Sequence, residues 1–152
     1  VPVADAAGGV RTILANVACV ALGASPEPRA VLIEGAPGSG KSSLARALID
    51  RGALLIADDG VTLEDREGRL WAMPPPNIAG LIEVRNVGLV PLPTASAPLA
   101  LVIRLDAAAP RFVDSAGSAK RAGHRLPLIA LDPGSPILPL LAEYALKTYG
   151  LG

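Results

Sequence analysis

The chemistry of this chain is concentrated in one glycine-rich stretch. It runs Gly35-Ala36-Pro37-Gly38-Ser39-Gly40-Lys41-Ser42 and has the spacing G-x-x-x-x-G-K-[ST] of a phosphate-binding P-loop. Glycines let the backbone curl so that N–H groups point at phosphate oxygens, and the N-terminus of a following helix adds a partial positive charge. Lys41 would reach the β- and γ-phosphates, and the Ser42 hydroxyl would face Mg²⁺. We therefore predict that a nucleotide binds here.

The predicted cofactor-binding residues are the loop and the start of its helix, namely Gly35, Ala36, Pro37, Gly38, Ser39, Gly40, Lys41, Ser42 and Ser43. The alternative is a glycine-rich turn that only caps a helix. Such a turn does not require a Lys-Ser pair at this offset, so nucleotide binding is favoured.

Two consecutive acids, Asp58 and Asp59, form the second candidate site at the end of the short apolar run 53–57. Carboxylates beside a phosphate loop can bind Mg²⁺ directly or through water, and one of them can accept a proton. Neighbouring side chains of a regular strand point to opposite faces, so at least one acid must lie on a turn if both reach the site. The alternative is a polar strand exit of the kind that Asp-Gly often marks.

These residues need a strand before the loop and a helix after it. The apolar run 30–33 predicts the strand, and residues 41–50 carry apolar side chains at helical spacing. Before the loop we predict a strand over 11–22, in a hairpin with 29–34 across a turn at 23–28. After the helix we predict a strand over 53–57, a hairpin of 61–64 with 69–72, a stiff extended loop over 74–80 and an apolar run over 81–90. The last part is predicted to hold a strand over 99–105, a mobile loop over 107–123, a strand over 126–131 and a helix over 135–149.

The pattern favours an α/β or α+β core with a mixed sheet and few helices, since strands outnumber helices and do not alternate with them. At 152 residues, 51% of them hydrophobic, the chain is expected to form one domain, 1–152. Its 14 basic and 14 acidic residues balance, so a nucleic-acid partner is not expected. Cys19 is expected to pack as a small hydrophobe. Neither a secretory leader nor a run of roughly 20 apolar residues is recognised, which favours the cytoplasm and no membrane association.

Three stretches resemble the HPr kinase/phosphorylase family, whose P-loop domain is also related to phosphoenolpyruvate carboxykinases. They are residues 31–45, which include the glycine-rich loop, residues 51–59, which end at the two acids, and residues 80–90. The third stretch, Gly-Leu-Ile-Glu-Val-Arg-Asn-Val-Gly-Leu-Val, looks like a signature that ordinary P-loop NTPases lack. The likeness spans about residues 16–149 and implies a P-loop kinase domain of the short form, without the extra N-terminal domain of longer members.

The resemblance implies a role for several residues. Lys41 would bind phosphate, while Ser42 and Glu83 would help to hold Mg²⁺. From the acid pair itself, Asp58 is a further expected Mg²⁺ ligand. Asp59 would accept the proton of a seryl hydroxyl in the forward reaction and return it in the reverse reaction. A carboxylate beside a metal and a phosphate can move one proton without becoming covalently bound, so this role is chemically sound.

Two arginines complete the expected site. Arg85 lies two residues beyond Glu83 and would project to the same face of an extended segment, where it could steady phosphate charge. Without the resemblance, a surface ion pair would be the simpler reading of Glu83 and Arg85. The late catalytic arginine of the family matches Arg111 only loosely, with competitors at Arg104, Arg121 and Arg125.

The chain departs from the family pattern at two positions. Asn16 stands where members usually carry a histidine, and a carboxamide cannot act as a base near neutral pH. Asn86 replaces a glycine of the signature. The sole histidine, His124, is expected to be a solvated loop residue.

The resemblance implies a serine kinase and phosphorylase that uses ATP or inorganic phosphate with Mg²⁺. It would act on the phosphocarrier protein HPr in the regulation of carbon metabolism and of the phosphotransferase system, and would assemble as a homohexamer. Two alternatives stay open at this point. One is a P-loop kinase for a small alcohol or acid, and the other is a weakly catalytic ATP-binding sensor, which Asn16 favours.

Overall fold

The structure, a computed structural model, describes residues 2–4, 10–23, 27–76 and 80–152. Its elements in chain order are β1 (Pro2–Ala4), β2 (Val10–Ala15), β3 (Ala18–Leu22), β4 (Arg29–Gly35), α1 (Lys41–Asp50), β5 (Leu54–Ala57), β6 (Gly60–Arg66), β7 (Arg69–Met73), β8 (Leu81–Val84), β9 (Gly88–Pro91), β10 (Ala97–Leu105), β11 (Gly117–Arg121), β12 (His124–Leu131) and α2 (Leu138–Tyr149).

The longest strand, β10, lies at the centre of the fold. It pairs in parallel with β4 on one side and with β12 on the other, while β4 and β3, and then β3 and β5, pair antiparallel. All of its residues except Arg104 are buried, as its apolar sequence requires of a strand that is covered on both faces. The strand that delivers the P-loop is therefore held at the middle of the sheet.

A second group of strands extends the same sheet. β1, β2, β6 and β7 pair antiparallel in that order, and β7 joins the first residues of β10. In the described part of the chain, ten strands thus form one curled mixed sheet, and β8 pairs with β9 in a separate hairpin. The expected α/β fold with a mixed sheet and few helices is confirmed.

Two hydrophobic clusters cover the two faces of the sheet. One packs α1 and α2 against β3, β4 and β10, with Leu44 and Leu48 of α1 fully enclosed. The other fills the opposite face and includes Cys19. Burial raises the pKa of the Cys19 thiol, so this cysteine is an inert core residue, as expected. Each enclosed leucine contributes about 1.5–3 kcal/mol of burial free energy, which fixes α1 beneath the P-loop.

The predicted strand over 11–22 is wrong in one respect, because the chain breaks between β2 and β3. Asn16 adopts a left-handed conformation with φ 61° and interrupts the extended backbone. β2 then pairs with β6, whereas β3 pairs with β4 in the predicted antiparallel hairpin. Apolar residues continue across the break, so hydrophobic periodicity does not reveal it.

The segment 107–123 is also corrected, because its last part forms β11 rather than a loop. β11 and β12 are joined by Ala122 and Gly123, both with positive φ, which is the backbone of a tight two-residue hairpin turn. The apolar run 81–90 is a hairpin, with Asn86 at φ 70° in its turn. The helix predicted over 135–149 begins at Leu138 and carries Pro139 in its first turn, where proline is tolerated.

Two predicted connections lie partly outside the described residues. They are the turn at 23–28, of which 24–26 are not described, and the loop at 74–80, of which 77–79 are not described. The described residues include no helix that is long and apolar enough to cross a membrane.

Candidate active site

The glycine-rich loop connects β4 to α1, as the sequence predicts. Gly38 and Gly40 have φ values of 77° and 104°, which side chains rarely adopt, although an added Cβ would meet nothing within 4 Å at either position. Glycine is therefore required at both positions by the left-handed backbone and not by crowding. Gly35 is different, because a Cβ there would lie 2.5 Å from the Ser39 hydroxyl oxygen.

Lys41 folds back over the loop that precedes it. Its ammonium donates hydrogen bonds to the carbonyl oxygens of Gly35 at 3.0 Å and Ala36 at 3.2 Å. Neutral carbonyls hold the ammonium less strongly than phosphate oxygens would, because a phosphate adds the attraction between two opposite full charges. The ammonium thus lies at the rim of the loop, where a phosphate could replace the two carbonyl oxygens as its partner.

Ser42, in the first turn of α1, donates a hydrogen bond of 2.6 Å from its hydroxyl to the Asp58 carboxylate. The other carboxylate oxygen of Asp58 accepts the backbone N–H of Glu83 at 3.4 Å. Asp58 therefore joins the helix after the P-loop to the β8–β9 hairpin. Two of the three residues predicted to hold a metal are in direct contact, and the backbone of the third touches the same carboxylate.

Asp59 follows with φ 64°, so it leaves the alternation of the strand. Its carbonyl oxygen accepts the backbone N–H of Asn16 at 3.1 Å. The expectation that one of the two acids lies on a turn is confirmed, and both acids lie on the same side as the P-loop. Asp58 bonds to Ser42, and Asp59 lines the adjoining cleft.

The cleft has a volume of about 870 Å³ and begins at the P-loop. Asn16, Asp59, Glu83 and Arg85 line it from outside the loop and its helix. From the loop and α1 it is lined by Pro37, Gly38, Gly40, Lys41, Ser42, Ser43, Arg46, Ala47 and Asp50. Its size lies in the range of small-molecule and cofactor sites, so the sequence-predicted loop, Asp59 of the acid pair and the hairpin meet around one space that can take a nucleotide.

The donor set also fits a magnesium ion bound together with phosphates. Ser42 and Asp58 offer a hydroxyl and a carboxylate oxygen in contact with each other, and Mg²⁺ prefers oxygen ligands. In the described ranges, no group of three or more His, Cys, Asp or Glu residues is arranged to hold a metal. Mg²⁺ commonly binds through one or two protein ligands and completes its shell with phosphate oxygens and water, so this sparse set matches a nucleotide-borne ion better than an all-protein metal site.

The arginines divide into two groups. Arg85 lines the cleft from the turn of the β8–β9 hairpin, and Arg46 lines it from α1. Arg111 is an exposed residue of the segment that precedes β11 and is not among the cleft-lining residues. Its competitors Arg104, Arg121 and Arg125 are also not among the cleft-lining residues.

Arg121 is engaged elsewhere, because its guanidinium makes a two-pronged contact with Glu34, the residue before the P-loop. The two N–H···O distances are 2.8 and 2.6 Å. Hydrogen bonding to Glu34 raises the pKa of Arg121, with a smaller electrostatic contribution from the same carboxylate. Arg121 thus fastens the β11–β12 hairpin to the strand that delivers the loop.

His124 is also not the solvated loop residue that was expected. It begins β12, and its Nε2 lies 2.6 Å from an oxygen of Asp65 near the β6–β7 turn. Only 23% of its side chain is exposed. The partner is 59 residues away in the sequence, so local composition could not reveal the contact.

Sequence reasoning missed one wall of the cleft. Arg46, Ala47 and Asp50 line it from one face of α1, and Arg46 donates to Asp50 at 3.4 Å. Their spacing of three and four residues marks a shared helix face, but a polar helix face is ordinarily solvated. This helix face can therefore be recognised as part of a site only when the structure shows the β8–β9 hairpin lining the same cleft.

A strand at the centre of a mixed sheet that leads through a P-loop into a helix, with an acid pair after β5 of the same sheet, defines a P-loop kinase fold. A family model described as the HPr Serine kinase C-terminal domain matches residues 28–96, which include the P-loop, the acid pair and the whole of the hairpin signature. The resemblance of this chain to the HPr kinase/phosphorylase family is confirmed.

Curated relatives match over a stretch of similar length. An HPr kinase/phosphorylase of Clostridium tetani is 42% identical over 64 residues, which are 42% of this chain and 21% of that protein. One of Streptococcus thermophilus is 44% identical over 61 residues, which are 40% of this chain and 20% of that protein. The matched part thus spans about a fifth of the length of these relatives.

A solved structure extends the match to most of the fold. The Hpr(Ser) kinase/phosphatase from Coxiella burnetii superposes with a TM-score of 0.73 and 26% sequence identity, covering 90% of this chain and 88% of that chain. The structural similarity therefore extends past residue 96, where the family model ends.

Proposed function

We propose that this domain is an ATP- and Mg²⁺-dependent protein kinase that phosphorylates a serine of an HPr-like phosphocarrier protein and reverses the reaction with inorganic phosphate. The observation that carries the proposal is the 2.6 Å hydrogen bond from Ser42 to Asp58, with Asp59 lining the same cleft as the P-loop. The names of its relatives supply the substrate class, and the fold matches theirs. On the same resemblance we propose a cytoplasmic homohexamer and one kinase domain over the described residues.

The P-loop would hold the polyphosphate. Gly38, Gly40, Lys41, Ser42 and Ser43 line the cleft at the N-terminus of α1, where partial positive charge favours an anion. Lys41 would exchange its carbonyl partners for the β- and γ-phosphates. When bound with the nucleotide at Ser42 and Asp58, with Glu83 at the hairpin edge, Mg²⁺ would offset phosphate charge in the transition state.

Asp59 would accept the proton of the attacking seryl hydroxyl. The serine oxygen forms a bond to the γ-phosphorus, the bond from that phosphorus to the bridging oxygen breaks, and ADP leaves. The proton on the Asp59 carboxylate then passes to solvent. In the reverse direction, inorganic phosphate attacks the phosphoserine, Asp59 returns a proton to the serine oxygen, and pyrophosphate is formed.

Arg85 lies opposite the P-loop on the hairpin turn and would steady charge on the transferred group. A guanidinium can contact two oxygens of one phosphoryl group at once. The structure brings no other arginine of the predicted set to the cleft among the residues described, so we propose Arg85, with Arg111 as a residue that a bound partner would have to bring closer.

A second function, nucleotide sensing without efficient transfer, is favoured by one observation. Asn16 lines the cleft, and its carboxamide cannot titrate there. A sensor would bind ATP through the P-loop and would leave a protein acceptor unmodified. A small-molecule kinase would use the same loop and acids with a metabolite hydroxyl as the acceptor.

The three functions differ in a single assay. The chain is incubated with γ-labelled ATP, Mg²⁺ and a purified HPr-like protein, and the label is traced to phosphoserine. Replacing the acceptor serine by alanine is the acceptor control, and Lys41→Ala is the enzyme control. Serine-dependent labelling supports the proposal. ATP binding without transfer supports the sensor, and ATP consumption only with an added metabolite supports the small-molecule kinase.

A further inference from the structure

The proposed proton acceptor lies at a seam between two ladders of the sheet. β2 pairs with β6 up to Ala15 opposite Gly60, and β3 pairs with β5 from Cys19 opposite Ala57. Asn16 and Asp59 lie between these two ladders and face each other across the seam. The hydrogen bond from the Asn16 N–H to the Asp59 carbonyl, 3.1 Å long, closes it.

Both residues have left-handed backbones, with φ 61° at Asn16 and φ 64° at Asp59. Asparagine and aspartate enter this region more readily than other residues apart from glycine, whereas β-branched residues are strongly disfavoured there. The two residue types therefore suit the two backbones. A change of conformation at one would pull on the other through their shared hydrogen bond.

The left-handed turn decides where Asp59 points. In an unbroken strand, Asp58 and Asp59 would face opposite sides of the sheet. Asp58 is held on the P-loop side by Ser42 at 2.6 Å, so a regular strand would turn Asp59 away from the cleft that it lines. The backbone at residue 59 must leave the strand for both acids to serve one site.

We infer that Asn16 is a positioning residue that acts through its backbone: its left-handed conformation and its N–H hold Asp59 toward the P-loop, and its carboxamide is dispensable. The inference rests on the proposed role of Asp59. It assigns the asparagine a conformational task and gives a non-titrating residue a place in an active kinase.

Three variants test the inference. Asn16→Gly keeps the left-handed backbone and removes the carboxamide, whereas Asn16→Val disfavours that backbone. Glu67→Val is the matched control, because Glu67 has φ 54° in the exposed turn between β6 and β7 and lies outside the cleft. If Asn16→Val does not fold, Asn16→Ala takes its place as a milder change.

We expect Asn16→Gly to keep kcat for transfer within about threefold of wild type and Asn16→Val to lower it about tenfold to a hundredfold, since a displacement near 1 Å can have this effect. The KM for ATP should change less than about twofold in both, because the P-loop is untouched. Glu67→Val should lower the melting temperature and leave kcat unchanged. Equal losses of kcat in the glycine and valine variants, or a comparable loss in Glu67→Val, would overturn the inference.

Amide hydrogen exchange at residue 16 gives a readout that needs no acceptor protein. The amide should be protected in wild type and Asn16→Gly and exchange faster in Asn16→Val, because only the valine variant loses the bond to the Asp59 carbonyl. Equal protection in all three overturns the inference. Absence of transfer in wild type would instead overturn the proposed function, and the exchange comparison would still decide the role of residue 16.

Discussion

The Ser42 hydroxyl donates to the Asp58 carboxylate at 2.6 Å, and this contact ties the helix behind the P-loop to the end of β5. Because Asp58 also receives the backbone N–H of Glu83, one carboxylate connects three elements around the cleft. The first prediction concerns this carboxylate. Asp58→Asn should raise the Mg²⁺ concentration needed for half-maximal transfer by about tenfold or more, since a carboxylate oxygen suits Mg²⁺ better than a neutral amide.

The measurement is the transfer rate against Mg²⁺ at fixed ATP. Asp114→Asn serves as control, because Asp114 is an exposed carboxylate outside the cleft. An unchanged Mg²⁺ requirement in Asp58→Asn would remove Asp58 from the metal site.

The second prediction concerns the lysine at the rim of the P-loop. Lys41→Ala should weaken ATP binding about tenfold to a hundredfold, because a charge-assisted hydrogen bond contributes about 1.5–3 kcal/mol and 1.4 kcal/mol is a tenfold change in affinity. Titration calorimetry with ATP and Mg²⁺ measures the effect. Lys120→Ala, an exposed lysine on β11, should bind ATP like wild type. Wild-type affinity in Lys41→Ala would exclude the predicted phosphate contact.

The third prediction concerns the ion pair between Arg121 and Glu34. Arg121→Lys should lower the free energy of unfolding by about 1 kcal/mol, because an ammonium cannot reproduce the two parallel hydrogen bonds of a guanidinium. Arg125→Lys is the matched control, since Arg125, an exposed arginine of the same hairpin, contacts Ser118 at 3.3 Å and not a carboxylate among the residues described. Urea unfolding followed by circular dichroism compares them. Equal urea midpoints of unfolding for the two variants would show that the Arg121–Glu34 ion pair contributes nothing measurable to stability.

Local patterns predict the centre of this fold well. The apolar run before Gly35 is a strand, the helical spacing after Gly40 is a helix, and the acid pair directly follows the strand β5. Each of these depends on contacts or propensities within a few residues. The family signature over 80–90 is a hairpin whose Glu83 and Arg85 line the same cleft, so a motif recognised only by resemblance lies where the loop and the acids meet.

Other features depend on partners far along the chain and could not be predicted. The break at Asn16 arises because Ala15 pairs with Gly60 of β6, whereas Cys19 pairs with Ala57 of β5. The apolar sequence across the break carries no turn signal. β11 exists because it pairs with β12, although its sequence is polar and small. Arg121 is distinguished from Arg111 by Glu34, which lies 87 residues away. Sequence composition ranks such arginines equally, and only the tertiary contacts separate them.

The proposed role of Asp59 is tested most directly by Asp59→Asn, with two quantities measured on the same protein. ATP affinity should stay close to wild type, because the P-loop and the Ser42 to Asp58 contact are intact. Single-turnover transfer of labelled phosphate to the serine of an HPr-like protein should fall about 10²-fold or more, as expected when a general base is lost. Asp114→Asn should leave both quantities unchanged. Transfer at the wild-type rate in Asp59→Asn would contradict the account.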